Sequence, residues 1–127
     1  MSELKELAAE AKHELLTHII PFWRGMRDDK FGGYYGYLSY DLALDEKAEK
    51  GCILNSRITW FFANAYLLYK DGGISEEECE AAGFKGEDLL AEAKHGYEFL
   101  REHCIDKEYG GIFWSLNYDG TPLDTTK

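Results

Sequence analysis

The sequence predicts a helix-dominated domain in which long helices alternate with short β-hairpins. Two observations point to this class. Three long stretches carry apolar residues at spacings of three and four, typical of amphipathic helices, and two aromatic-rich segments each begin near a Gly-Gly pair. The 127 residues suffice for one small domain, and 45% hydrophobic residues can build its core. This composition excludes a disordered or fibrous chain.

Four helices are predicted in chain order. The first runs from Leu4 to about Arg24, and we expect Pro21 to kink or end it because proline lacks an N–H donor. The second, Ile53–Lys70, is apolar around much of its circumference, which favours neighbours on more than one side. A capping-box pattern predicts a short helix over 75–82, and a long helix follows from Asp88 to Cys104. The expected inner stripe of the first helix is Leu4, Leu7, Ala8, Ala11, Leu15, Ile19 and Phe22.

The two glycine-pair segments form an internal repeat. Residues 31–41 align with residues 109–119 at a constant offset of 78 positions, and each copy follows a long helix. The repeat predicts a unit of helix, Gly-Gly hairpin and helix. We expect residues 1–127 to be a single partial domain with one full unit and about half of a second. The alternative is a complete three-helix domain, which the apolar second helix disfavours.

Charge and cysteine content narrow the partners and the compartment. With 14 basic and 24 acidic residues the formal charge is −10, which disfavours nucleic acids and anionic membranes. No apolar run approaches the ~20 residues of a membrane span, and the start Met1–Glu6 does not resemble a signal peptide. The odd count of three cysteines (Cys52, Cys79 and Cys104) is typical of free thiols. We expect a cytoplasmic protein without nucleic-acid or membrane partners.

One helical face collects side chains that suit a sugar. Arg57, Trp60 and Asn64 are spaced to lie on one side of the second helix, with Phe61 beside them. An aromatic ring can stack on a sugar, and arginine and asparagine can donate to its hydroxyls. The alternative is a surface salt bridge for Arg57 and a core position for Trp60, and the spacing leaves both open.

The hairpins offer further aromatic candidates. Phe113 and Trp114 lie on the second predicted hairpin, and Tyr35 occupies a matching place on the first. Aromatic residues on strands are more often packing surfaces than binding platforms. The glycine pairs have a structural interpretation, because glycine adopts backbone angles that other residues resist.

The histidines and cysteines indicate no metal site. His13, His18, His95 and His103 lie on predicted helices at spacings that do not suit zinc, and the cysteines add no cluster. We interpret the histidines as solvated or hydrogen-bonded helix residues and expect neither a metal nor a cofactor.

Several runs together resemble the N-terminal quarter of the cellobiose 2-epimerases, within the N-acylglucosamine 2-epimerase superfamily. The matching runs are 18–23 (HIIPFW), 27–29 (RDD), 32–38 (GGYYGYL), 53–62 (ILNSRITWFF), 97–100 (YEFL), 106–111 (DKEYGG) and 124–127 (DTTK). The family commonly has histidine where this chain has Asn55, and its members often have tyrosine where this chain has Phe113.

The resemblance implies the N-terminal part of an (α/α)6 barrel of alternating outer and inner helices. It implies an enzyme that inverts C2 of the reducing-end glucose of cellobiose-type disaccharides, giving mannose, without a cofactor. In the family one histidine removes the C2 proton and a second returns it to an enediolate, whose charge an arginine stabilises. That arginine falls on Arg57. The catalytic histidines lie in later segments, so the resemblance implies that these 127 residues hold part of the sugar pocket and are inactive alone.

Two alternatives stay open. An aldose–ketose isomerase would use the same barrel, whereas a glycoside hydrolase would need a carboxylate pair that does not stand out here. The chain could instead be a non-catalytic module, in which a homo-oligomer covers the exposed face of the second helix.

Overall fold

The computed structural model describes residues 2–125. Outside the described residues lie Met1, Thr126 and Lys127, which belong to the terminal runs considered above. The predicted dominance of helices is confirmed. The elements are α1 (Ser2–Glu14), a π-helical turn (Leu15–Ile19), α2 (Ile20–Gly25), β1 (Lys50–Gly51), α3 (Cys52–Lys70), α4 (Glu76–Ala81), α5 (Gly86–Phe99), a second π-helical turn (Leu100–Cys104), β2 (Ser115–Leu116) and β3 (Pro122–Asp124).

Pro21 does not end the first helix, which continues from α1 through the π-helical turn into α2. The backbone N–H of Ile20 donates to the carbonyl of Leu15, five residues earlier. Such a wide turn accommodates a proline ring that would crowd an ordinary α-helix. The burial of this helix also differs from the predicted inner stripe: Ile19 and Phe22 are exposed, whereas Leu16 and Ile20 are buried.

The main core lies between α3 and α5. Ile58, Phe62 and Ala65 of α3 are buried, and Leu89 and Ala93 of α5 join the same cluster. The opposite side of α3 is not covered by any of residues 2–125, because four large apolar side chains on it are exposed. They are Ile53, Trp60, Leu67 and Leu68.

A small antiparallel sheet with the order β1-β2-β3 joins the two halves of the chain. Lys50 pairs with Leu116 and Gly51 with Ser115, while β2 and β3 form a hairpin around a turn at 118–120. The predicted Gly-Gly hairpins are not confirmed within residues 2–125. Each glycine pair instead lies in a compact loop closed by an isolated bridge, Arg27↔Tyr34 in the first loop and Ile105↔Ile112 in the second.

The two loops nevertheless share one hydrogen-bond pattern. The N–H of Asp28 donates to the Gly33 carbonyl at 3.0 Å, and the N–H of Asp106 donates to the Gly111 carbonyl at 2.9 Å. In each loop the aspartate Oδ1 accepts two further backbone N–H groups from the residues two and three positions later. All four glycines of the pairs have positive φ. The sequence repeat therefore corresponds to two loops with the same backbone geometry.

Candidate functional site

The exposed side of α3 presents Arg57, Trp60 and Asn64 together, as their spacing predicts, and we call these three residues the Arg57 face. All three are exposed, and Trp60 retains 69% of its accessible surface. Among residues 2–125, no carboxylate forms an ion pair with Arg57; the ion pairs of the described arginines involve Arg24, Arg27 and Arg101. The structure therefore does not support a salt-bridged Arg57 with a core Trp60.

A cavity of about 190 Å³ adjoins the Arg57 face. Its lining is mainly apolar and comprises Leu15, Trp60, Phe61, Asn64, Ala65 and Leu68. The Asn64 amide donates to the Trp60 carbonyl at 2.9 Å, which holds the amide along the helix. In this cavity the Trp60 indole can stack on one face of a sugar ring, and the Asn64 amide can hydrogen-bond one of its hydroxyl groups.

Trp114 lies at the N-terminal end of the same helix. Its carbonyl accepts the N–H of Cys52, the first residue of α3, at 3.1 Å, and its N–H donates to the Asp124 carbonyl at 3.1 Å. The side chain is 56% exposed. The sheet thus fixes a second exposed indole beside the start of the helix that carries Arg57.

Phe113 and Tyr35 do not join the Arg57 face. Phe113 packs against the smaller apolar cluster around Phe99, which indicates a structural role. Tyr35 belongs to a separate cavity of about 400 Å³ and donates to Glu46 Oε1 at 3.4 Å. Burial and nearby carboxylates, Asp28 foremost, raise the pKa of Tyr35 to about 12.

Asn55, one of the family departures, has a structural task that the sequence did not reveal. Its Oδ1 accepts the N–H of Tyr34 at 2.9 Å, and its Nδ2 donates to the Gly51 carbonyl at 2.9 Å. A Cβ added to Gly33 would lie 2.8 Å from the same oxygen. The buried amide therefore fixes the first glycine loop against the start of α3.

A buried lysine, also missed by the sequence, holds the first glycine loop to the turn between β2 and β3. Lys50 is fully buried, and its Nζ donates to Asp28 Oδ2 at 2.6 Å, to the Gly32 carbonyl at 2.7 Å and to the Tyr118 carbonyl at 2.9 Å. All three ammonium protons are thus used. A lysine in a polar segment gives no sign of its burial in the sequence.

A second buried charge network lies behind the first loop. Glu92, which is 2% exposed, accepts Arg24 Nε at 3.1 Å, Arg27 Nη1 at 3.2 Å and the Tyr34 hydroxyl at 2.9 Å. Burial, followed by the Glu92 carboxylate, raises the pKa of Tyr34. This network fixes the end of α2 to α5 and so positions the loop that contacts α3.

Two of the histidines form contacts with a backbone carbonyl or a carboxylate. His95 contacts the Gly33 carbonyl at 2.8 Å, and His18 pairs with Glu14 at 3.1 Å. Within residues 2–125, no group of three His, Cys, Asp or Glu side chains is arranged to hold a metal ion. Over the same residues, no helix combines the length and apolarity needed to cross a membrane.

The chain is similar in sequence to cellobiose 2-epimerases. No family model matches the chain. It is 49% identical over 121 residues to the cellobiose 2-epimerase of Ruminococcus albus, covering 95% of this chain and 27% of that protein. It is 50% identical over 114 residues to the cellobiose 2-epimerase of Eubacterium cellulosolvens, covering 90% and 24%. The chain thus spans about a quarter of the length of these curated relatives.

Solved structures give the same result. A sugar epimerase from a ruminal bacterium superposes with a TM-score of 0.79 at 49% identity, covering 94% of this chain and 27% of that one. The cellobiose 2-epimerase of Bacillus thermoamylovorans superposes with a TM-score of 0.80 at 38% identity, with the same coverage. The resemblance inferred from the sequence runs is confirmed, and it concerns the N-terminal quarter of those epimerases.

Proposed function

We propose that the chain forms the N-terminal, sugar-binding part of a carbohydrate 2-epimerase that converts the reducing-end glucose of cellobiose-type disaccharides into mannose. The observation that carries this proposal is the exposed Arg57 face, in a chain 49% identical to a cellobiose 2-epimerase. Its three side chains match the needs of a sugar that passes through an enediolate.

The proposed chemistry gives each residue of the Arg57 face one task. Removal of the C2 proton from the ring-opened sugar places negative charge on the C1 oxygen, next to the C2 hydroxyl. Arg57 stabilises that charge, because a guanidinium stays protonated and donates along two parallel directions. Trp60 stacks on the sugar and Asn64 bonds a hydroxyl, while Trp114 extends the aromatic surface at the end of α3. We do not extend this role to Phe113 or Tyr35.

We propose that the proton-transfer groups lie outside residues 1–127. Of the four histidines, His95 and His18 have the structural contacts given above, and none is on the Arg57 face. General acid–base catalysis needs such a group within hydrogen-bond reach of the C2 proton. The chain alone should therefore bind sugar without turning it over, and we propose no metal or organic cofactor.

The exposed apolar side of α3 supports the proposed (α/α)6 barrel. One side of the helix packs on α5, while Ile53, Leu67 and Leu68 on the other remain exposed. An inner barrel helix would have this distribution, with its second side covered by further helices. We propose that residues 1–127 are a partial domain of this kind.

A chimera tests the function directly. The chain replaces the matching quarter of the Ruminococcus albus enzyme, and conversion of cellobiose to its mannose-type epimer is followed by chromatography. We expect activity, and a loss of about 10²–10³-fold in turnover for Arg57→Ala. Lys70→Ala, an exposed cation at the far end of the same helix, is the matched control. A folded Arg57→Ala chimera with normal turnover would remove Arg57 from the site.

The product also separates the alternative reactions. A ketose in place of the mannose-type sugar would indicate an aldose–ketose isomerase, which shares the enediolate. For the isolated chain, an NMR titration with cellobiose should shift the Trp60 indole signal in the wild type but not in Arg57→Ala. Concentration-dependent dimers without sugar binding would instead favour a self-associating module that covers the apolar side of α3.

A further inference from the structure

Two cysteines that the proposed chemistry does not use lie together in the smaller apolar cluster. Cys52 is the first residue of α3, and Cys104 is the last residue of the π-helical turn that follows α5. Both are fully buried, and Phe99 and Leu116 complete the buried cluster. Side chains 52 positions apart in the sequence are therefore brought together at one place.

The backbone around the pair is fixed on both sides. The N–H of Phe113 donates to the Cys104 carbonyl at 2.8 Å, and the N–H of Cys52 donates to the Trp114 carbonyl at 3.1 Å. One short segment thus connects the two cysteine backbones, and both side chains lie in the same buried cluster. We propose that Cys52 and Cys104 form a redox pair, which a small disulfide oxidant such as oxidised glutathione converts into an intramolecular disulfide. This inference does not depend on the proposed function.

The two thiols have different roles in the exchange. Contact with Cys104 lowers the pKa of the Cys52 thiol, against the effect of burial. Contact with Cys52, together with burial, raises the pKa of the Cys104 thiol. The start of a helix also favours a thiolate. Because Cys52 is the first residue of α3, we assign it as the attacking sulfur and Cys104 as the resolving one.

The exchange balances without any further reagent. The Cys52 thiolate attacks one sulfur of oxidised glutathione, forms a mixed disulfide and releases one glutathione thiolate. The Cys104 thiolate then attacks the Cys52 sulfur and releases the second glutathione thiolate. Two protein thiols are oxidised, one glutathione disulfide is reduced to two thiols, and the two protons from the cysteines end on them.

The bond would join the start of α3 to the end of the α5 helix. Because both thiols are buried, the oxidant reaches them only when the covering sheet opens. That sheet has strands of two and three residues, so its opening requires few bonds to break. Once formed, the disulfide restricts the unfolded chain more than the folded one, and a loop of this length should raise the melting temperature by roughly 10 °C.

Cys79 provides the matched control. It is equally buried but belongs to the main core cluster, and burial and neighbouring carboxylates raise the pKa of its thiol. Among the described residues it shares no cluster with another cysteine. A pairing driven by burial alone would involve Cys79 as readily as the other two.

The test uses the 127-residue chain, unfolded and reduced, then refolded in a buffer of oxidised and reduced glutathione. Refolding exposes every thiol to the oxidant, so burial cannot hide a reactive pair. Digestion without reductant and mass spectrometry should show a peptide joined through Cys52 and Cys104, with Cys79 free. The melting temperature should rise in wild type and in Cys79→Ala, and fall back with dithiothreitol. It should not rise in Cys52→Ser or Cys104→Ser.

Other results would overturn the proposal. Refolded chain in which Cys52 and Cys104 stay thiols, or carry separate glutathiones, would show that the pair does not close. Disulfides shared at comparable yield with Cys79 would show that the fold does not select the pair.

Discussion

The buried contact between Lys50 and Asp28 offers the sharpest test of how the fold holds its two halves together. Substituting Asp28→Asn keeps the side-chain size and keeps Oδ1 as an acceptor for two backbone N–H groups. It removes the negative charge that lies 2.6 Å from the Lys50 ammonium. The lysine would then remain fully buried with only the carbonyls of Gly32 and Tyr118 as acceptors.

The expected loss of stability is large because a buried ion would lose its counter-ion. Breaking one partner of a buried pair costs about 3–5 kcal/mol, a large part of the ~5–15 kcal/mol that stabilises a typical domain. Lys50→Met, which leaves the carboxylate with its two N–H donors, should cost about 3 kcal/mol. The double variant removes both charges, so its loss should fall below the sum of the single losses by about 2 kcal/mol or more.

Urea unfolding of the four proteins measures the free energies, and its pH dependence adds an independent check. Burial would raise the pKa of Asp28, but the Lys50 hydrogen bond and two backbone N–H groups outweigh it and lower that pKa. A lowered folded-state pKa means that this contribution is present above the ordinary carboxyl pKa of about 4 and is lost as the pH falls through the folded value. Asp28→Asn should remove that part of the acid sensitivity. Single losses below 1 kcal/mol, or additive losses in the double variant, would refute the reasoning.

Three further outcomes are expected. Gly33→Ala should lower the free energy of unfolding by about 2–5 kcal/mol, because the φ of Gly33 is +68° and the added Cβ would meet two side chains at 2.8 Å. Gly25→Ala is the control: its added Cβ meets nothing within 4 Å, so it should raise the free energy of unfolding by about 0.5–1 kcal/mol. Tyr34→Phe should lower it by about 1–2 kcal/mol, since the hydroxyl bonded to Glu92 is lost, and an unchanged urea midpoint would contradict this role. Ultraviolet titration should find two phenols, Tyr35 and Tyr69, with pKa values of about 12, and a Tyr35 value near 10 in the native protein would contradict the effect of its burial and the nearby carboxylates.

The helices were predictable because their signals are local. Apolar spacing located α3 and α5, and the capping box at Ser75 is present, with Glu78 N–H donating to Ser75 Oγ at 3.1 Å. The Arg57 face followed from the same periodicity, because residue spacing determines on which side of a known helix each side chain lies. The comparisons do not test its role in binding, which stays a prediction.

The structure of the glycine segments was harder to predict, because a strand needs a pairing partner that the local sequence does not identify. β2 pairs with β1, some 65 positions earlier in the chain, as well as with β3, which follows it directly. Neighbouring residues on an extended segment also point to opposite sides, so Trp114 is exposed while Phe113 packs inward. Burial of Lys50 likewise depends on three acceptors, two in the first glycine loop and one 68 positions after the lysine in the chain.

The π-helical turn at Leu15–Ile19 places one extra residue within an otherwise continuous helix. One extra residue held in a wide turn shifts the positions after it by one residue, or ~100°, relative to an uninterrupted α-helix of the same sequence. Leu16 and Ile20, in and just after the turn, are buried, whereas Leu4 and Leu7 of α1 are 59% and 62% exposed. Deleting a single residue from the turn would restore an ordinary α-helix with the two flanking segments in nearly the same orientation, so the wide turn accommodates the extra residue without rotating α1 against the core.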